Sequence, residues 1–397
     1  MKISEIKKDL YYLGVNDRTK HAFENLWPLP YGVSYNSYLL NDDKTALFDT
    51  VDVCYSDVFL SKLEYALNGK ALDYIVINHM EPDHSGSLAL LRTKYPDVEI
   101  VGNARTIEMV KGYYGITEKV KVIVDGEELN LGKHVLRFCL IPMVHWPETM
   151  ATYDITSKTL FSGDAFGAFG ALDGGVTDAQ LRPERYWDEM IRYYSNIVGK
   201  FGSPVQKALA KLSGIEIETI CSTHGPVWTE KENIRKVIAL YDKLSKYEAE
   251  PGVVVVYGSM YGHTEQMAET IASELAGQGI RDIIVHNASV THHSYIIRDV
   301  FKYKGLIVGS PTYNNKLYPE IDSLLTKLSG REIKDRYFGY FGSFTWAGAA
   351  VKNLTAFAET SGWEVVGVPV EMKQAMDEKS CEAAIALAQA MALKMKE

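Results

Sequence analysis

The chain has 397 residues, 46% of them hydrophobic and 23% charged, a composition that fits a packed globular protein too long for one ordinary core. Its formal net charge of -9 repels nucleic-acid phosphates and anionic lipid, so neither kind of partner is expected. No stretch is long and apolar enough to span a bilayer, and the opening residues Met1 to Asp9 carry charges with no apolar run behind them, so a cytoplasmic location is expected.

In chain order, short strands ending in polar or acidic residues are predicted at 38–41, 45–49, 74–78, 135–141, 159–164 and 219–223. Helical stretches fall between some of them, and the pattern reads as an α/β sandwich. A charged helical stretch at 241–250 then stops at Pro251-Gly252, and the apolar run from Val253 begins a new strand. This places a domain boundary near residue 250, giving units 1–250 and 251–397. The second unit alternates strands, at Val253, Ile283, Leu306 and 337–341, with helices, which implies a doubly wound parallel sheet. Cys54, Cys139, Cys221 and Cys381 form no C-x-x-C pair and read as buried thiols of a reducing compartment.

The densest chemistry lies just after the strand at 74–78, where His79, Glu81, Asp83 and His84 set four ligand types within six residues. The segment contains Pro82 and reads as a loop, which can turn alternate ligands toward different centres. His145, Asp164 and His224 close later strands, and strand ends along one sheet edge can converge. Any one of those three alone is better read as an ordinary polar residue; the cluster at 79–84 gains nothing from helix or sheet geometry and points to metal.

A second constellation follows the Val253 strand: Ser259, Met260, Tyr261, Gly262, His263 and Thr264, then a helix with Met267, Ile271 and Leu275 on its apolar face. Hydroxyls and backbone N–H groups at such a helix N-terminus bind a phosphate monoester without lysine. Two more strand ends carry Pro311, Thr312, Tyr313, Asn314 and Asn315, and Ser343, Phe344, Thr345, Trp346, Ala347 and Gly348. Loops at the carboxyl ends of strands meet at the switch point of a doubly wound sheet, where aromatic side chains can stack on a flat ring. No G-x-G-x-x-G occurs, and Gly277-Gln278-Gly279 reads as a helix C-cap.

The pattern at 79–84 with the separate His145, Asp164 and His224 resembles the metallo-β-lactamase superfamily, and the three later loops resemble those of flavodoxins. Glu81, standing where zinc hydrolases of that superfamily carry histidine, favours iron or manganese over zinc. Over essentially its whole length the sequence resembles the flavodiiron proteins. The resemblance implies a metallo-β-lactamase-like αββα sandwich at 1–250 and a flavodoxin-like FMN domain at 251–397. It implies one iron on His79, Glu81 and His145, another on Asp83, His84 and His224, and Asp164 bridging them, and it leaves open whether His84 ligates. Tyr35, Trp146, Tyr193 and Tyr194 are aromatic candidates near that pocket. It further implies reduction of O2 to water, of NO to N2O, or both, in a head-to-tail homodimer or a tetramer. The electron donor would be a separate rubredoxin-like protein or a reduced deazaflavin. Two other readings stand beside it: a zinc hydrolase carrying a flavodoxin domain, and an electron carrier with a degenerate metal site.

Overall fold

The apolar runs of the N-terminal half form two sheets. In the computed structural model, which describes residues 3–396, the first sheet orders Ser4–Lys7, Leu10–Tyr12, Tyr38–Asn41, Thr45–Phe48, Tyr74–Val76, Glu99–Gly102 and Val120–Val122. Its pairs are antiparallel as far as Thr45–Phe48 and parallel beyond it. The second sheet orders Glu128–Asn130, Val135–Leu140, Met150–Asp154, Thr159–Gly163 and Thr219–Ser222, with only the last pair parallel. Thr45–Phe48 and Thr159–Gly163 are buried at every residue, so both of their faces are covered. Phe48 of one sheet stacks on Phe161 of the other, with ring centroids 3.6 Å apart, which fixes the sheets face to face. The helix Ser56–Leu67 buries Phe59, Leu63 and Leu67, and Gly202–Leu212 sets Val205, Ala208 and Leu212 beside Ile141 and Ala151 of the second sheet region. Helices outside two packed sheets make the expected sandwich.

The described residues divide into two compact units between Ser245 and Lys246. The helix expected to run to 250 is Lys231–Ser245, and the next strand opens at Glu250 and not at Val253. Its register shifts between Glu250 and Val253, because Pro251 has no N–H to give the ladder and the chain must bulge there.

In the C-terminal unit parallel strands order Ile283–Asn287, Glu250–Tyr257, Tyr303–Pro311, Tyr337–Phe344 and Glu364–Val365, with Val370–Lys373 also pairing along Tyr337–Phe344. This is the expected doubly wound sheet. Val253 and Val255 pack with Ile307 and Phe341 against Met267, Ile271 and Leu275 of the helix His263–Gly277 and Leu387 and Met391 of Glu378–Lys394. The strand order puts the switch point between the ends of Glu250–Tyr257 and Tyr303–Pro311. Gly279, at φ +89°, follows the helix His263–Gly277 and ends it in the left-handed conformation the C-cap reading requires.

All four cysteines are free, and only Cys139 and Cys221 are buried; Cys54 is exposed and Cys381 half-buried. The expectation of four buried thiols fails at Cys54 because it lies on a single 3-10 turn, Val53–Tyr55, at the surface, where apolar neighbours do not guarantee burial. Among the described residues no helix is long and apolar enough to cross a membrane.

Candidate functional site

The first ligand cluster hangs from the end of Tyr74–Val76 and is fastened by a buried acid. Asp49 accepts from the Asn78 backbone N–H at 2.8 Å, the Asn78 side chain at 2.9 Å and the His79 N–H at 3.2 Å. Asn78 in turn accepts from Thr152 at 2.7 Å and from the Met150 N–H at 3.0 Å, which ties the segment to the second sheet. Pro82–Ser85 is one helical turn and not the open loop expected, because proline at the first helical position has its φ already set and no N–H to leave unsatisfied. His145 lies in the connection between Val135–Leu140 and Met150–Asp154 and not directly at a strand end. Asp164 and His224 each stand within two residues of their strands.

All seven side chains meet in the buried interior as two groups that share Asp164. One carboxylate oxygen of Asp164, Oδ2, lies 3.5 Å from His79 Nε2 and 3.2 Å from His145 Nε2. Glu81 Oε2 completes that group at 3.4 Å from His79 and 3.2 Å from His145. The other oxygen, Oδ1, lies 2.8 Å from His84 Nε2 and 3.8 Å from His224 Nε2, with the two Asp83 oxygens 3.4 Å from those same nitrogens.

Burial disfavours the charged forms of His79, Glu81, His84, His145 and Asp164, yet the cluster's own charges prevail. The Asp164 carboxylate holds His79 well above its usual value, Asp83 raises His84 to about 9, and Asp164 raises His145 to about 9. In return His145 and His79 pull Glu81 below the carboxylate range, and His84 and His79 do the same to Asp164. His79 Nε2, Glu81 Oε2, both Asp83 oxygens, both His84 nitrogens and His224 Nε2 are buried without a hydrogen-bond partner. Buried polar atoms left so are rare, and here all but His84 Nδ1 are nitrogen and carboxylate donors turned toward two points. The residues fit a pair of metal ions sharing a carboxylate, and three carboxylates to four imidazoles is a donor set harder than zinc hydrolases use.

Aromatic rings wall the group. Tyr35 and Tyr193 lie with ring centroids 5.9 Å and 5.5 Å from His224, and Trp146 lies 5.2 Å from His79. Tyr194 packs on Tyr241 at 5.0 Å. It opens a five-residue π-helical turn, Tyr194–Val198, buried throughout. Sequence reading missed Phe23, 5.3 Å from His224, and Thr223, whose hydroxyl donates to Asp164 Oδ1 at 2.5 Å. It also missed Glu148, which accepts from His79 Nδ1 at 2.8 Å. Glu148 was legible as an acid in an otherwise apolar segment; Phe23, in a two-residue strand, carried no signal.

In the C-terminal unit the three loops enclose a cavity of about 550 Å³ lined by Ser259 to Tyr261, His263, Thr264, Pro311 to Asn315, Ser343 to Ala347 and, unforeseen, Gln374. Gly262 and Gly348 fall outside the lining. Gly262 serves through its backbone, as the helix N-cap at φ +93°, and a side chain at Gly348 would meet Glu371. Ser259 accepts from the Gly262 N–H at 3.1 Å, Thr264 and Ser343 hydroxyls lie 2.9 Å apart, and Thr312 accepts from the Ala349 and Ala350 N–H groups. Tyr261 and Trp346 are 89% and 88% exposed at the rim of the cavity.

Residues 33–225 match the ODP family beta lactamase and residues 255–386 match the flavodoxin family. Over 370 residues the chain is 32% identical to the anaerobic nitric oxide reductase flavorubredoxin of Vibrio vulnificus, spanning 90% of this chain and 73% of that one. The solved rubredoxin oxygen:oxidoreductase of Desulfovibrio gigas matches with a TM-score of 0.95 at 29% identity, covering 100% of this chain and 99% of its own. The flavodiiron protein of Giardia intestinalis matches with a TM-score of 0.92 at 26% identity, covering 100% and 98%.

Proposed function

This chain belongs to the flavodiiron protein family, and on that premise we propose that it is an oxidoreductase that reduces O2 to water, NO to N2O, or both, at a non-haem diiron centre fed by FMN. The observation that carries the reading is Asp164, one oxygen facing His79, Glu81 and His145 and the other facing Asp83, His84 and His224. Two irons held there supply paired one-electron chemistry for a diatomic substrate, and FMN supplies the exchange between a donor and that centre.

The residues act by holding and excluding. Asp49 and Asn78 keep the 79–84 segment in place, and Tyr35, Phe23, Tyr193 and Trp146 close the pocket against bulk water. In the other unit, Ser259, Gly262 and Thr264 present hydroxyls and N–H groups to the flavin phosphate at the start of His263–Gly277, and Tyr313 and Trp346 offer aromatic faces to the ring. On this reading 1–250 carries the metals and 251–397 the flavin. The donor is a rubredoxin-like protein or a reduced deazaflavin, and the working form is a head-to-tail homodimer or a tetramer in the cytoplasm.

The test is metal and flavin analysis of purified protein together with anaerobic consumption of O2 and of NO, driven by reduced rubredoxin and, separately, by reduced deazaflavin. Two irons and one FMN per chain with turnover of either gas are expected. Two zinc ions with hydrolytic activity and no gas turnover would overturn the reading.

A further inference from the structure

The ring nitrogens that face away from the two metal positions are not backed alike. His79 Nδ1 meets Glu148 Oε1 at 2.8 Å, and the same oxygen accepts the Met80 N–H at 2.9 Å. A carboxylate only accepts, so His79 carries its proton on Nδ1 and turns the lone pair of Nε2 toward Glu81 and Asp164. Glu148 is 1% exposed, and its backbone carbonyl is held by the Asn103 side chain at 2.5 Å. Asn103 is itself fixed as the N-cap of the helix Ala104–Tyr114, accepting from the Arg105 and Thr106 N–H groups. In the other group His224 Nδ1 donates to a neutral acceptor, the Ser34 carbonyl, at 2.7 Å, and His84 Nδ1 is buried with no hydrogen-bond partner.

We propose that Glu148 is a positioning residue that makes the His79–Glu81–His145 position the tighter of the two metal positions, filled first and emptied last. This inference rests on the diiron reading above. A buried negative charge behind an imidazole increases its basicity and locks its ring, and partners of this kind are worth about 10- to 100-fold in metal affinity. The Asp83–His84–His224 position has a neutral carbonyl hydrogen-bonded behind one imidazole and no hydrogen-bonded group behind the other, on which the buried Asp49 carboxylate acts only through space, so its ion is the one exchanged.

The experiment uses the full FMN-loaded chain stripped of metal and titrated anaerobically with ferrous ion, with bound metal counted and release to a chelator followed in time. Wild type should load in two resolved steps and release one equivalent well before the other. Glu148→Gln should weaken the tighter step by about 10- to 100-fold and leave the weaker one in place, narrowing the gap. Glu148→Asp, which keeps the charge, should recover part of it. Coincident steps in wild type, or a Gln variant that moves both steps equally or neither, overturns the proposal. Asp83→Asn decides the matter should the Gln variant not fold: it should remove only the weaker step, and loss of the tighter one overturns the assignment. A wild-type chain that binds no iron would instead sink the diiron reading itself.

Discussion

The two cofactor regions solve the problem of holding a charged guest in opposite ways. The metal centre concentrates charge: seven ionisable side chains gathered from four separate parts of the chain, all buried, with pairs of atoms that have no partner but one another or a cation. The flavin cavity has no lysine or arginine in its lining and relies on hydroxyls, backbone N–H groups and the start of a helix. A dianionic phosphate needs only oriented dipoles where the fold already supplies a helix end, whereas buried carboxylates are tolerable only when something positive sits among them.

The contrast can be broken most decisively at Asp164. Asp164→Ala should lower metal affinity by about 100-fold or more, beyond the cost of losing an outer partner, and abolish O2 and NO turnover while leaving the flavin absorbance intact. Flavin lost along with the metals would mean the two regions are not independent. The reciprocal change is Gly262→Ala, which forces a side chain into φ +93° at roughly 1–2 kcal/mol. It should weaken FMN about tenfold in a fluorescence titration with metal content unchanged.

The shifted histidines of the two units should link proton binding to stability in opposite directions. In the metal-free chain His84 and His145 are raised from 6.5 to about 9, so their contribution is complete below pH 6.5 and disappears as pH rises through about 9. His293 is held down to about 4 by burial and by the Lys327 ammonium that donates to its Nδ1 at 3.2 Å. Its contribution is complete above 6.5 and disappears as pH falls toward 4. Calorimetry of the metal-free protein should show the N-terminal transition dropping on the alkaline side through these histidines, as well as on the acid side through Glu81 and Asp164, and the flavin-releasing transition dropping on the acid side. Each kcal/mol lost moves Tm by about 2–4 °C, and iron loading should remove the alkaline slope. The smallest effect belongs to Tyr194→Phe, which keeps the ring packed on Tyr241 and should leave metal content and turnover unchanged; a clear loss would give its hydroxyl a part at the centre.

The same contrast explains what could be read from sequence. Four ligand types within six residues at 79–84 have no packing rationale, so they announce themselves, and the alternation of long apolar strands with helices after Val253 announces the doubly wound sheet. The hairpins before residue 36 were invisible because strands of two or three residues, such as Ala22–Phe23 and Trp27–Pro28, carry too little periodicity to separate from loop. Thr223 went unread because its role depends on which strand ends meet in space.

The π-helical turn Tyr194–Val198 sits in a run buried on every side. Removing one residue there would restore ordinary α-helical winding and rotate all that follows by about 100°, swinging Val205, Ala208 and Leu212 off the sheet they cover. Evolution can therefore exchange side chains along this stretch far more freely than it can change their number, and a single-codon deletion here is a harsher lesion than most point changes in the core.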